Sequence, residues 1–209
     1  EQIKNQLMGS VGFPWHFIAD ITAGSKNNYE TLNVDAPFQS RPGFTHINSE
    51  EDYHIISPIV HNVLSDAHII SAKCFLQLPL ALDDYSVDTA HTDRPEPHTV
   101  VLYYVCDSDG DTIIYDKKWE PNMTGHDRHL SGEITKEWPI AEKVTPKQGR
   151  AIVFNGYHYH TAEQPRHNNR CIINYNIMIS PFLLLNYFVG RKDRHETTKH
   201  KTIPKFYST

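Results

Sequence analysis

Two short stretches of the sequence carry side chains that could bind a metal ion. The first is His91-Thr92-Asp93, and the second contains His158 and His160, directly after an apolar run. In an extended chain, residues i and i+2 project to the same side, so His91 and Asp93 can converge on one point. Two imidazoles and one carboxylate on one face of a metal leave the opposite positions open to other ligands, an arrangement that suits Fe(II). Either His158 or His160 could supply the second imidazole.

Arg170 follows the two histidines at a distance that a hairpin can close. Arg170 lies ten residues after His160, and Pro165, Asn168 and Asn169 between them favour a turn. A planar guanidinium can pair with both oxygens of a carboxylate, through charge-assisted hydrogen bonds worth roughly 1.5–3 kcal/mol each. We therefore expect Arg170 to bind the remote carboxylate of a cosubstrate that the metal holds at its other end.

The elements that would position these side chains are short strands. Runs rich in Val, Ile, Tyr and Phe occur at 68–80, 99–106, 112–115, 144–145, 151–155 and 170–180. Turn residues separate them at 107–111, 146–149 and 164–169. Several short strands without helices between them favour an antiparallel sandwich or barrel over alternating strands and helices.

A helix is predicted before the strands, over residues 50–66. Ser49 and Asp52 form a capping box, and apolar residues follow at helical spacing. Pro58 conflicts with a continuous helix, so a start at Ser57 is the alternative. We expect this helical layer to cover one sheet, which makes the fold class α+β, mainly β.

Together these stretches resemble the 2-oxoglutarate/Fe(II)-dependent dioxygenases, and within them the prolyl-4-hydroxylase-like group. Residues 99–116, TVVLYYVCDSDGDTIIYD, are similar to that group's YYLN strand, acidic turn and GG-x-T-like element. Residues 146–160, PKQGRAIVFNGYHYH, are similar to its P-x-x-G-x-hydrophobic-F-[DN]-G-x-x-x-H segment. The resemblance covers roughly residues 68–180.

The resemblance implies a role for each candidate residue. His91, Asp93 and His160 would bind iron, since the F-N-G-x-x-x-H spacing selects His160 over His158. The distal carboxylate of 2-oxoglutarate would be bound by Arg170, Tyr104 and Asn174. Tyr103 competes with Tyr104 for this role. Three further residues would lie behind these contacts or along the path of the substrate: His158, His98 and Thr112.

The resemblance also implies a fold and a reaction. The fold would be a double-stranded β-helix, or jelly roll, and the protein would use Fe(II), 2-oxoglutarate and O2. It would hydroxylate a C–H bond of a small molecule or peptide and release succinate and CO2; a carboxylate ligand such as Asp93 favours hydroxylation over halogenation. Two alternatives are open. One is a cupin-type metal dioxygenase that does not use 2-oxoglutarate, suggested by His158 and His160 followed by Glu163. The other is a jelly-roll binding module without enzymatic activity.

The 209 residues are expected to form one oxygenase domain, 1–209. N-terminal α/β elements would occupy 1–67, the jelly-roll core 68–180, and a C-terminal segment with a basic tail 181–209. We expect this tail to be solvated; the alternative is an arm that contacts a partner.

Charge and composition limit the partners. The net charge of −5 argues against nucleic acid as the main partner. No apolar run approaches the roughly 20 residues of a membrane span. Three widely spaced cysteines and the lack of a signal-peptide pattern favour a cytoplasmic protein. Three acids precede His91, and they would either be solvated or favour a cationic substrate: Asp83, Asp84 and Asp88.

Overall fold

The computed structural model describes residues 1–18, 21, 42–79, 87–121 and 135–179, and the backbone of 129–130 and 205–207. Within this part of the chain, two sheets account for most of the structure and helices are few. The prediction of a mainly β, antiparallel architecture is confirmed.

The strands, in chain order, are β1 (His16–Ile18), β2 (Gly43–Ile47), β3 (His68–Gln77), β4 (Ala90–His91), β5 (Thr99–Tyr104), β6 (Thr112–Lys118), β7 (His129–Leu130), β8 (Ile140–Val144), β9 (Ala151–Asn155), β10 (His158–Ala162), β11 (Arg170–Met178) and β12 (Lys205–Tyr207). The first sheet has the order β1-β2-β3-β11-β5-β9-β12, and the second has the order β7-β4-β10-β6-β8. Neighbouring strands are antiparallel, except that β12 runs parallel to β9.

The predicted strands have the right positions but not always the right ends. The prediction for 151–155 matches β9 in full. The prediction for 68–80 is too long, because β3 ends at Gln77, two residues before Pro79, which cannot donate a hydrogen bond to a neighbouring strand. The short strands β2 and β4 were not predicted, because their pairing with distant residues, rather than a local apolar run, makes them strands.

The helices lie near the N-terminus. A turn of α-helix, α1 (Gln2–Lys4), continues as a π-helical turn over Asn5–Gly9. Further on, a 3₁₀ turn (Glu50–Asp52) leads into α2 (Tyr53–Val63). No helix of the described residues combines the length and the apolar character that a membrane crossing requires.

The structure of α2 confirms the predicted capping box and corrects the predicted end and the alternative start of the helix. The capping box is present, since the Ser49 N–H donates to Asp52 Oδ2 over 2.8 Å. The helix ends at Val63 rather than at residue 66. The alternative start at Ser57 is wrong, because Pro58 lies inside the helix. The carbonyl that loses its partner there belongs to His54, which is exposed, so water can take the place of the missing N–H.

The first sheet separates two apolar clusters. On its outer face, Ile56 and Val60 of α2 pack with Val101 and Ile173. Alternate residues of β5 point the other way, so that Leu102 and other inward-facing side chains fill the space between the sheets. The candidate functional residues lie at this inner interface.

Part of the C-terminal tail forms a strand. The backbone of β12 pairs with residues 152–154 of β9 at the edge of the first sheet. The remainder of the segment 181–209 lies outside the described residues, as do Asp83 and Asp84.

Candidate metal centre

Two strands bring the candidate histidines together. His91 ends β4 and His160 lies in the middle of β10, and the two are register partners in this antiparallel pair. Directly opposed residues of paired strands share a face, so both imidazoles project into the space between the sheets. Their ring centroids are 4.6 Å apart. Asp93 follows two residues after His91, just beyond the end of β4.

The three candidate ligand atoms converge. The Asp93 Oδ1 lies 3.6 Å from His91 Nε2 and 3.7 Å from His160 Nε2. One ligand atom from each residue lies within 4.8 Å of the others, and this is the one group of three or more such residues among those that the structure describes. A metal ion could bind all three at once.

Both imidazoles are oriented by backbone carbonyls. His91 Nδ1 lies 3.1 Å from the Thr89 carbonyl oxygen, and His160 Nδ1 lies 3.1 Å from the His158 carbonyl oxygen. Because a carbonyl can only accept, each Nδ1 carries the proton and each Nε2 lone pair is directed towards Asp93. Hydrogen bonding of the remote ring nitrogen in this way is typical of histidines that bind metals.

The protonation states also suit metal binding. Burial and the nearby His160 lower the pKa of His91 to about 4, and burial lowers the pKa of His160. Burial alone would raise the pKa of Asp93, but the two imidazoles and an amide hydrogen bond outweigh it and lower this pKa to about 2. At neutral pH the centre offers two neutral imidazoles and one carboxylate, a donor set that fits Fe(II).

The amide that orients Asp93 belongs to Asn174. Its Nδ2 donates to Asp93 Oδ2 over 2.9 Å, which leaves Oδ1 facing the histidines. Asn174 was predicted to contact the cosubstrate beside Arg170. That contact stays a prediction; the observed partner of Asn174, which lies four residues after Arg170 on β11, is Asp93.

Arg170 lies at the opposite end of the same cavity and is only 4% exposed. Its Nε donates to the Gly110 carbonyl, its Nη1 to Gln77 Oε1 and its Nη2 to Thr112 Oγ1, over 3.0, 3.0 and 2.8 Å. A guanidinium has five N–H groups. One N–H on each terminal nitrogen is therefore not used by a described residue and could bind a carboxylate.

Tyr104 and Thr112 lie beside Arg170. Tyr104 is fully buried, and its hydroxyl donates to Thr112 Oγ1 over 2.9 Å. Thr112 Oγ1 thus accepts from both Tyr104 and Arg170, so its own proton is available for a ligand. Tyr103 lies on the outer face of the sheet, packed against the cluster beneath α2.

The turn before β6 must approach Arg170 closely. A Cβ on Gly110 would lie 2.6 Å from the Glu163 carbonyl oxygen and 3.1 Å from Arg170 Cδ. Any larger residue would therefore displace the guanidinium or the backbone beneath it.

Gln77, which was not predicted as a site residue, binds Arg170 on the side away from the metal ligands, and Asp88 in turn binds Gln77. Gln77 accepts from Arg170 and donates through Nε2 to Asp88 Oδ2 over 2.8 Å. Asp88 is only 2% exposed, which contradicts its interpretation as a solvated residue. The available signal was Gln77 itself, a polar residue at an inward position of the otherwise apolar segment CFLQL.

The cavity therefore has two polar ends and apolar walls. His91, Asp93 and His160 form one end, and Arg170, Gln77 and Thr112 form the other, whereas the walls between them are Phe75, Leu102 and Ile172. A dicarboxylate could bind a metal at one end and the guanidinium at the other.

The remaining predicted residues have separate places. His158 Nδ1 lies 2.9 Å from the Tyr115 carbonyl oxygen, and His158 is not part of the ligand group. The pairing of β10 with β6 shifts register between His158 and His160, so simple alternation does not relate the two. His98 is buried over Gly156, where a Cβ would lie 2.1 Å from its Nε2.

Glu163 does not join the histidines. Its Oε1 accepts a hydrogen bond from Lys143 Nζ over 2.6 Å. The cupin-type alternative depended on Glu163 as a metal ligand, so this arrangement does not favour it.

Comparison with known proteins gives matches among solved structures only: no family model and no curated protein matches the sequence. An oxidoreductase of the 2OG-Fe(II) oxygenase family from Burkholderia pseudomallei is 14% identical, with a TM-score of 0.48, over 78% of this chain and 72% of that chain. The viral collagen prolyl hydroxylase of Paramecium Bursaria Chlorella virus-1, in its 2OG complex, is 10% identical, with a TM-score of 0.39, over 66% of this chain and 80% of that chain.

A third structure, EvdMO1, is 13% identical, with a TM-score of 0.50, over 86% of this chain. The match covers 42% of EvdMO1, so this chain corresponds to less than half of that protein. At 10–14% identity the similarity concerns the fold. The predicted resemblance to 2-oxoglutarate/Fe(II) oxygenases is thus found among solved structures at that level.

Proposed function

We propose that this chain is an Fe(II)- and 2-oxoglutarate-dependent dioxygenase that hydroxylates a C–H bond in a small molecule or a peptide. The observation that carries the proposal is the pairing, within one cavity, of a His-Asp-His group with a buried arginine. The fold would accordingly be a double-stranded β-helix, of which the two sheets are the two faces.

The metal would be held by His91 Nε2, His160 Nε2 and an oxygen of Asp93. Bound Fe(II) would supply the activation of O2 that couples oxidative decarboxylation of 2-oxoglutarate, to succinate and CO2, with insertion of oxygen into a C–H bond. The contribution of the protein is to keep both imidazoles neutral and turned inwards, and to hold the carboxylate by the Asn174 hydrogen bond.

The charge of Arg170 supports a dicarboxylate as the cosubstrate. Its hydrogen-bond partners among the described residues are all neutral, whereas the nearby acid Asp88 is hydrogen-bonded to Gln77 and acts on the Arg170 charge through space. A buried cation without a directly bound anion is costly, and a carboxylate with a free pair of oxygens removes that cost. Thr112 would add a third hydrogen bond to the same carboxylate.

The apolar walls would separate the two ends of the cosubstrate from water. Phe75 and Ile172 are register partners on β3 and β11, between the metal ligands and Arg170. A chain of methylene groups can lie against these side chains without loss of hydrogen bonds. Exclusion of water also strengthens the pairing of Arg170 with a carboxylate.

The direct test is anaerobic addition of Fe(II) and 2-oxoglutarate to the purified protein. We expect a visible metal-to-ligand charge-transfer band and, in air, succinate release. His91→Ala should lose the band, whereas His54→Ala, which removes an exposed imidazole, should keep it. Arg170→Met should keep metal binding but need at least 100-fold more 2-oxoglutarate, because a buried charge pair is lost.

Three results would contradict the proposal. A colourless mixture without 2-oxoglutarate-dependent succinate release from folded protein would exclude this chemistry. Metal binding without any response to 2-oxoglutarate would point to a cupin-type enzyme. Absence of metal binding would point to a binding module.

A further inference from the structure

The inner face of the first sheet continues beyond the metal ligands as a polar strip. The inward positions of β11 and their register partners on β3 form four pairs: Arg170 with Gln77, Ile172 with Phe75, Asn174 with Lys73, and Asn176 with Ser71. Gln77 is buried, whereas Lys73 and Ser71 are only half-buried. Exposure along β3 therefore increases from Gln77 towards Lys73 and Ser71. A substrate that approached the metal ligands along this side of the sheet would pass Lys73 and Asn176.

Lys73 is a cation next to the metal centre. It lies opposite Asn174, whose amide contacts Asp93. Among the residues that the structure describes, none forms an ion pair with Lys73. An anion could therefore bind there.

Asn176 supplies an acceptor at the same end. It is only 5% exposed, and its Nδ2 donates weakly to Ser71 Oγ over 3.5 Å. Its Oδ1 is buried without a hydrogen-bond partner in the described part of the chain. The same holds for Asn174 Oδ1, since Asn174 Nδ2 must face the carboxylate. Two buried amide oxygens at successive inward positions of β11 thus have no partner among the described residues, and donors from a ligand would satisfy them.

We propose that the substrate is an anion whose carboxylate or phosphate group pairs with Lys73 and whose N–H or O–H group donates to Asn176. This inference rests on the proposed function. Directly opposed residues of paired strands lie about 5 Å apart, so the anionic group would lie close to the carbon presented to the metal. The cationic substrate suggested by the acidic stretch before His91 is not supported at Asp88, which is buried against Gln77.

The test uses anaerobic protein loaded with Fe(II) and 2-oxoglutarate, in which a compound that enters beside the metal perturbs the visible band. The probes are matched pairs: N-acetylglycine with N-acetylglycinamide, and glycerol 3-phosphate with glycerol. The two pairs separate a carboxylate from a phosphate. Each probe is titrated into the wild type, Lys73→Met and Lys136→Met, the last of which removes an exposed lysine charge.

We expect the anionic member of at least one pair to act at about tenfold lower concentration than its neutral partner in the wild type and in Lys136→Met. Lys73→Met should reduce the preference to less than twofold, and Lys73→Arg should retain it. N-acetylsarcosine, which lacks the N–H, should bind more weakly than N-acetylglycine, and Asn176→Leu should abolish that difference.

Several outcomes would overturn the inference and leave the proposed function intact. In each case 2-oxoglutarate still gives its band. The preference for the anionic probe could persist in Lys73→Met, charged and neutral probes could have equal effects, or no probe could have any effect. Weaker binding of 2-oxoglutarate itself in Lys73→Met would assign the lysine to the cosubstrate and would also overturn it. A wild type without a 2-oxoglutarate-dependent band is, by contrast, a failure of the proposed function.

Discussion

The two oxygens of the Asp93 carboxylate have different partners, and this difference defines the metal centre at the scale of residues. Oδ1 faces the two histidines, whereas Oδ2 accepts from Asn174. A carboxylate that is held on one side presents its other oxygen in a fixed direction. The amide therefore acts on a metal through Asp93 rather than by contact with it.

We expect Asn174→Leu to weaken binding of Fe(II) by about 10- to 100-fold, since loss of a group that orients a metal ligand typically has an effect of this size. Anaerobic metal titration measures the affinity, with Asn62→Leu on the exposed face of α2 as the control. The melting temperature of the metal-free variant should change little. An unchanged affinity for Fe(II) would show that Asn174 does not position Asp93.

The sequence predicts the ligands more readily than the residues that support them. The HxD spacing and the pairing of β4 with β10 explain why His91, Asp93 and His160 lie together, and their binding of a metal stays a prediction. Gln77 could not be assigned to Arg170, because 93 residues separate them and the pairing of β3 with β11 decides the contact.

At the scale of elements, Asp109 joins two turns that precede Arg170. Its carboxylate accepts from the backbone N–H groups of Arg166, His167 and Asn168 over 3.0–3.2 Å, and from the His167 ring over 2.8 Å. The turn after β5 and the loop before β11 are thus held together. This contact fixes the point at which β11 begins, and Arg170 is the first residue of that strand.

Asp109 should make the stability of the folded protein depend on pH. Burial would raise its pKa, but hydrogen bonds from the His167 ring and from the backbone N–H groups of Asn168, Asp109 itself and Arg166 outweigh burial and lower the pKa to about 2. Because the pKa of an unfolded aspartate is about 3.9, the carboxylate stabilises the folded state above that pH, and this stabilisation is lost as the pH falls towards 2.

We expect Asp109→Asn to unfold at lower urea concentration than the wild type at pH 6 and to show a smaller loss of stability between pH 4 and pH 2. Urea titrations at several pH values measure this, with Asp66→Asn as an exposed control. Parallel curves for wild type and Asp109→Asn would contradict the assignment.

Element boundaries show where sequence patterns suffice. The strand β9 and the start of α2 depend on local signals, an apolar run and a capping box, and both were predicted. The interior of α2 was predicted as helical, but a start at Ser57 was left open, since Pro58 argues against a continuous helix that packing of Ile56 and Val60 nevertheless stabilises. Tertiary burial outweighed local preference at that point.

At the scale of the whole molecule, the first sheet separates the apolar cluster beneath α2 from the candidate site. The cluster beneath α2 lies on its outer face, and the candidate site lies on its inner face. Tyr175 connects helix and sheet, because its hydroxyl donates to the Ile56 carbonyl over 2.9 Å. Substitutions under the helix should therefore affect folding much more than binding in the cavity.

We expect Ile56→Ala to lower the free energy of unfolding by about 2–4 kcal/mol, the usual cost of this substitution in a core. Urea titration measures it, and Ile140→Ala, at an exposed position, should cost less than about 0.5 kcal/mol. The affinity of folded Ile56→Ala for 2-oxoglutarate should equal that of the wild type. A large loss of that affinity would show that the two faces of the sheet are coupled.

The strand β11 has a consequence for the choice of cosubstrate. Arg170 and Asn174, the residue that holds Asp93, lie on this one strand, and β3 and β5 pair with it on its two sides. The spacing between Arg170 and the residue that orients Asp93 is thus set by the backbone of a central strand. A keto acid one methylene longer or shorter would fit this spacing less well. Under the proposed function, selectivity for a five-carbon diacid is a property of the sheet.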